Sequence, residues 1–180
     1  PYSENFSLAV ELWRLMNMPP AVLIEAANAF VLPPYRLKVV AECDGTRFWN
    51  DSKATNFHAT LGALRSIDRP IVWIGGGRAK GGDIEAFALQ VGTRIDIAIL
   101  YGEVAERLAK ALKSYLEPVH IHKRLDHAIT AAAELAAKIP QANVLFSPGF
   151  ASYDQFDSFA ARGKSFNDTV LSLKNAHKPN

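Results

Sequence analysis

Cysteine is almost missing: Cys43 is the one thiol in 180 residues. A lone thiol excludes an intramolecular disulfide framework and any cysteine-rich zinc site. Long hydrophobic runs are missing too. The best stretches, Pro70–Ile74 and Ile95–Tyr101, are strand-sized and well short of the roughly 18 residues of a membrane helix. Neither sign of charge prevails, since 20 Lys and Arg oppose 18 Asp and Glu for a formal +2. With no basic block in the chain, that balance excludes a nucleic-acid footprint. The opening Pro1-Tyr2-Ser3-Glu4 has no initiator Met and no apolar signal core, and reads as a cut end. What remains is ordinary globular composition, 49% hydrophobic and 21% charged, which argues for packing over disorder. The expectation is a cytoplasmic, monomeric domain without a membrane or nucleic-acid partner, cut from a longer protein.

Apolar residues recur at helical spacing from Glu4 to Met18, and Pro19-Pro20 ends that helix. Pro20 suits the first turn of a second helix, Ala21–Phe30, where its missing N–H costs nothing. Pro33-Pro34 marks a domain boundary, with 1–32 on one side and 33–180 on the other. Beyond it, Leu37–Ala41 and Thr46–Trp49 flank Asp44-Gly45, a hairpin signal. Helices then alternate with apolar strands: Phe57–Ser66, Ile71–Ile74, Ile84–Val91, Ile95–Leu100, Glu103–Tyr115, Val119–His122, His127–Lys138, Val144–Phe146, and a last helix from Tyr153 to about Leu173. Continuous apolar strands between helices predict an α/β fold with a doubly wound, mostly parallel sheet. Ligands of such sheets bind beyond the strands' carboxyl ends, which directs attention to the loops after Trp49, Ile74, Leu100 and Phe146.

Three of those loops are rich in groups that bind anions. Gly75-Gly76-Gly77-Arg78-Ala79-Lys80-Gly81-Gly82-Asp83 departs from both the P-loop and the dinucleotide pattern. It supplies close backbone approach and two cations, or is simply a turn with solvated Arg78 and Lys80. Asn50-Asp51-Ser52-Lys53-Ala54-Thr55-Asn56 can cap the following helix and favour an anion at its N-terminus, or be a capped loop of surface residues. Ser147–Phe156 adds hydroxyls and backbone N–H groups. Three polar loops on one sheet edge make a better case for a site than any one alone. His120 and His122 share a face of one strand, with Asp126 and His127 close behind. A metal site and an exposed edge strand both give that spacing, and the edge strand is preferred. His58 reads as a surface or packing residue, Trp13, Trp49 and Trp73 as core or interface fillers, and Cys43 as a small buried residue at a strand end.

Asp51-Ser52-Lys53-Ala54-Thr55-Asn56, the Gly-Gly…Lys80 loop, and Ser147-Pro148…Ala151-Ser152-Tyr153-Asp154-Gln155-Phe156…Phe159…Arg162-Gly163…Phe166 occur in the order and spacing of a known family. Over essentially the whole chain the sequence resembles the Mur ligases of peptidoglycan synthesis, in the branch that adds D-glutamate. The resemblance implies a Rossmann-like C-terminal domain preceded by two helices from the end of a central ATPase domain. It implies an ATP- and Mg²⁺-dependent amide ligase whose other substrates are D-glutamate and UDP-N-acetylmuramoyl-L-alanine, joined through an acyl phosphate. The phosphate loop and metal ligands of that enzyme lie outside this chain, so the chain alone is expected to be inactive, with no catalytic side chain of its own. By resemblance Thr55, Lys80, Ser152, Tyr153 and Phe159 hold D-glutamate, while Asn5, Arg36, Asp51 and Lys53 face ATP. Departures from the family pattern stand at Pro1-Tyr2, at Tyr35, and at Gly149-Phe150. Two further readings stay open: a related ligase with another amino-acid acceptor, and a non-catalytic module binding an acidic metabolite or a protein.

Overall fold

The computed structural model of the chain describes residues 3–176, which divide between 33 and 34 into two compact units. In the first unit α1 (Ser3–Leu15) and α2 (Pro20–Ala29) are joined by a short turn in which the Trp13 indole donates to the Pro19 carbonyl, 3.0 Å. Pro20 sits in the first turn of α2, where an N–H would have had no partner. Phe6, Leu8, Leu12, Val22, Ile24 and Phe30 are all exposed, and nothing in α2 is buried.

The second unit starts with an antiparallel hairpin, β1 (Lys38–Cys43) and β2 (Thr46–Asn50). Its turn residues Asp44 and Gly45 take φ of 49° and 78°, the left-handed pair whose twist matches that of the strands. β3 (Ile71–Gly76), β4 (Ile97–Tyr101), β5 (Val119–His122) and β6 (Asn143–Gly149) complete a six-stranded sheet in the order β1-β2-β6-β3-β4-β5. Every pairing except β1–β2 is parallel. The three central strands β6, β3 and β4 are buried throughout.

Alternation across the strands separates two cores. Ile71, Trp73, Leu100 and Leu145 face α3 (Phe57–Arg65), α4 (Ile84–Gly92) and α5 (Ala105–Leu112), meeting Leu64, Phe87 and Leu108. Val72, Ile74, Ile99 and Val144 face α6 (Leu125–Ala136) and α7 (Phe159–Ala176), meeting Ile129, Phe166 and Val170. Helices on both faces make the sheet doubly wound, as its apolar strands predict.

Three expectations need correction. The last helix begins at Phe159, not Tyr153. Residues 154–155 are drawn out of helical geometry because the Asp154 carboxylate accepts from Glu103 N–H, and the Gln155 amide bonds both Leu125 N–H and the Lys123 carbonyl. The Ser158 hydroxyl then starts the helix by accepting from Ala161 N–H at 3.0 Å. Helix α5 is shorter than Glu103–Tyr115 at both ends, where turns replace it: Ala105 N–H bonds the Gly102 carbonyl at 3.2 Å and Tyr115 N–H the Leu112 carbonyl at 2.8 Å. Cys43 ends β1 but is half-buried, with its thiol on the Asp44 carboxylate at 3.5 Å.

Candidate functional site

Strand β6 lies between β2 and β3, so the loops following these three neighbouring strands leave the same sheet edge side by side. Backbone bonds lace them together. Asp51 N–H donates to the Phe146 carbonyl at 2.8 Å, and Gly149 N–H to the Ala54 carbonyl at 3.0 Å. Arg78 and Ala151 exchange N–H···O bonds of 2.9 and 3.1 Å. That pairing requires glycine at 77, where φ is 126° and a side chain would run into the Ala151 carbonyl.

The loops enclose an open cavity of about 470 Å³, lined by Thr55, Asn56 and Phe57 from the first, Lys80 to Gly82 from the second, and Gly149 to Ala151 from the third. Asn56 also caps α3, accepting from Ala59 N–H at 2.9 Å. Of the two cations in the glycine-rich loop, Lys80 lines the cavity, whereas Arg78 turns aside to an exposed pair with Glu103 at 2.9 Å. The Lys80 ammonium stands 5.7 Å from the centre of the Tyr153 ring. Ser152 is buried, and its carbonyl turns the third loop by accepting from Gln155 and Phe156 N–H. The cavity is therefore a recess with one flexible cation, a hydroxyl, amide groups and an aromatic wall, fit to hold a small anionic molecule.

The remaining residues singled out from sequence fall around this recess or apart from it. Lys53 lies over the Phe159 ring, 5.5 Å from its centre, so residues assigned to different ligands are direct neighbours. Arg36 is half-buried and its charge is felt by Asp51. Asn5 is exposed on α1, in the first unit. Among the described residues no group of three or more His, Cys, Asp or Glu side chains is placed to hold a metal ion, and no helix is long and apolar enough to cross a membrane.

The segment Asn50–Ser52 is buried rather than a surface loop. Asp51 accepts from Leu37 N–H at 3.1 Å and from the Ser147 hydroxyl at 2.8 Å. Burial pushes its carboxyl up from the usual 3.8 to about 6, against the pull of Ser147, Leu37 N–H and Arg36. The folded chain thus holds this proton more tightly than the unfolded one. Its contribution is full below about pH 4 and is lost as pH rises through 6, on the order of 2–3 kcal/mol. Asp51→Asn keeps both hydrogen bonds, with the amide oxygen toward Leu37 and the NH₂ toward Ser147. We expect the variant to match the original near pH 4 and exceed it in unfolding free energy at pH 8. Denaturation between pH 4 and 8 checks this, and a difference that does not vary with pH refutes it.

Two side chains that the sequence motifs contain without an assigned role build the site from beneath. Arg162 of α7 is wholly buried and among the described residues has no carboxylate within ion-pair distance. Its guanidinium donates to the Ser52 hydroxyl and carbonyl at 3.0 and 2.8 Å, and to the Phe150 carbonyl at 3.1 Å. It thereby ties the first loop to the third. Asn50 does similar work, its amide donating to the Gly163 carbonyl and to Asn167 at 2.8 and 2.7 Å. At the neighbouring Gly163 a side chain would run into the Tyr35 ring, which keeps α7 close to the first loop.

This geometry defines an α/β domain with an open recess at the switch point of a doubly wound sheet, the place where such folds bind ligands. The chain belongs to the Mur ligase family: the description "Mur ligase, glutamate ligase domain" matches residues 35–150. It is 36% identical over 171 residues to UDP-N-acetylmuramoylalanine--D-glutamate ligase of Thermosynechococcus vestitus, covering 94% of this chain and 38% of that protein. It is 38% identical over 168 residues to the enzyme of the same name from Latilactobacillus sakei, covering 93% and 37%. The chain therefore spans somewhat over a third of the curated relatives it matches. Among solved structures, MurF from Acinetobacter baumannii shares the fold with a TM-score of 0.65 at 13% identity, over 93% of this chain and 37% of that one. Folylpolyglutamate synthase of Mycobacterium tuberculosis, complexed with ADP and AMPPCP, does so with a TM-score of 0.58 at 20% identity, over 88% and 36%.

Proposed function

We propose that this chain is the amino-acid-presenting part of a ligase that adds D-glutamate to UDP-N-acetylmuramoyl-L-alanine. The observation that carries the reading is the single recess into which Thr55, Lys80 and the Gly149–Ala151 backbone converge. A dicarboxylate needs a cation and neutral donors on its oxygens while its amine stays free to attack. Lys80 and Thr55 supply the first two, with Ser152, Tyr153 and Phe159 completing the surround. ATP would supply the phosphoryl group that activates the muramoyl substrate's carboxylate. Toward that nucleotide we assign Arg36 and Lys53, with Asp51 fixing the loop between them, and Asn5 from the first unit. The ligands of the Mg²⁺ that accompanies ATP we assign to the rest of the protein. Residues 1–32 we assign to the end of a preceding ATPase domain, in keeping with their exposed apolar side chains. The work of this domain is orientation: it turns a bimolecular attack into an aligned one, and by itself it should neither hydrolyse ATP nor ligate.

The test is acceptor choice in the intact enzyme that carries this chain. D-glutamate should support phosphate release and product formation with UDP-N-acetylmuramoyl-L-alanine, and L-lysine and meso-diaminopimelate should not. Turnover with either of those in place of D-glutamate overturns the assignment.

A further inference from the structure

We propose that Phe57 is a positioning residue that holds the Lys80-bearing loop over the recess, an inference that rests on the acceptor-site reading above. Its place in the chain is the first residue of α3, directly after Thr55 and the capping Asn56. Its ring stacks on Phe87 at 4.2 Å and 8°, and meets the ring of Phe150 edge-on at 5.3 Å and 73°. Phe87 and Phe150 are buried, so the plane of the Phe57 ring is fixed from below and from the side.

Its third contact is with the glycine-rich loop. Gly82, at φ +97°, passes so close that a Cβ there would stand 2.8 Å from Phe57 Cε2. One side chain thus belongs to the first loop by sequence, touches the second at Gly82, and touches the third at Phe150. The second loop needs such an anchor. Its start is fixed by the Arg78–Ala151 pair and its end by Asp83, which caps α4 through Ala86 N–H at 2.9 Å. Between those points run Ala79, Lys80, Gly81 and Gly82, two of four being glycines with wide backbone freedom. The ring against Gly82 removes that freedom on one side of the loop, at the recess that Phe57 and Lys80 both line.

The experiment measures acceptor kinetics in the intact enzyme and amide hydrogen exchange over residues 79–82. Phe57→Ala should raise the KM for D-glutamate roughly 10- to 30-fold, the scale of a misplaced binding group, while the KM for ATP and the kcat stay within about threefold. Phe57→Leu, which keeps the apolar body, should return the KM to within about threefold of the original. Gly82→Ala should reproduce the Phe57→Ala effect from the other side of the contact. Exchange at 79–82 should quicken about tenfold in Phe57→Ala and not in Phe57→Leu. A part that merely supports folding would lower the active fraction without moving one KM. Unchanged exchange in Phe57→Ala, or quicker exchange with an unmoved D-glutamate KM, overturns the proposal. If the original enzyme refuses D-glutamate, the acceptor reading fails; the anchoring role is then judged by the exchange rates alone.

Discussion

Arg162→Met should lower the unfolding free energy by about 2–4 kcal/mol, and Arg162→Lys by at least as much. Two opposed quantities decide the sign. Removing the guanidinium relieves a charge held without an acid partner, which by itself favours the variant. It also strands the Ser52 and Phe150 carbonyls, both acceptors in a buried place, and costs the Ser52 hydroxyl its donor while leaving its own bond to the Phe159 carbonyl. A buried group left without its partner costs about 1–3 kcal/mol, so the two carbonyls together outweigh the relief. Lysine keeps the charge but cannot reach Ser52 and Phe150 together, because it has one nitrogen where arginine has a planar fork. Thermal denaturation reads the result as a fall of roughly 5–15 °C at about 2–4 °C per kcal/mol. A stable Arg162→Lys beside an unstable Arg162→Met would mean that the charge matters and the fork does not.

The reach of the sequence can be judged from such residues. Apolar runs such as Ile71–Ile74 announced parallel strands because both faces of β3 are covered, which leaves no polar alternation to confuse the pattern. Asp44-Gly45 announced the hairpin because few other dipeptides accept two left-handed residues in a row. Thr55 and Lys80 were legible as site candidates since loops after parallel strands must share one edge, whatever the details of packing. Arg162 and Asn50 were not. In sequence a buried, fully bonded arginine on a helix looks like an exposed one, and only the distant Ser52 and Phe150 tell them apart. The same holds for Asp154 and Gln155, whose bonds to Glu103 and Leu125 depend on strands brought together by the fold. Local propensity made them helical, and tertiary partners prevailed. Phe57 was hidden for the opposite reason: an aromatic at the start of a helix reads as core, and half of it is.

Lys80→Ala in the intact enzyme should raise the KM for D-glutamate by one to two orders of magnitude. Lys80 is the cation that the glycine-rich loop gives to the recess, because Arg78 is engaged with Glu103. A charge-assisted hydrogen bond to a carboxylate is worth about 1.5–3 kcal/mol, and at 1.4 kcal/mol per tenfold its loss gives a factor of roughly 10 to 100. The KM for ATP should move by less than about threefold, since the loss is confined to acceptor binding. Thr55→Ala should act in the same direction but by only about tenfold or less, as a neutral donor. The neighbouring Tyr153 ring, 5.7 Å from the ammonium, helps hold the lysine in place, so Tyr153→Ala should show a weaker version of the same signature. Steady-state kinetics with each substrate varied in turn separates the cases. A D-glutamate KM left unmoved by Lys80→Ala, with ATP binding weakened instead, would place this lysine on the nucleotide and detach the recess from the acceptor.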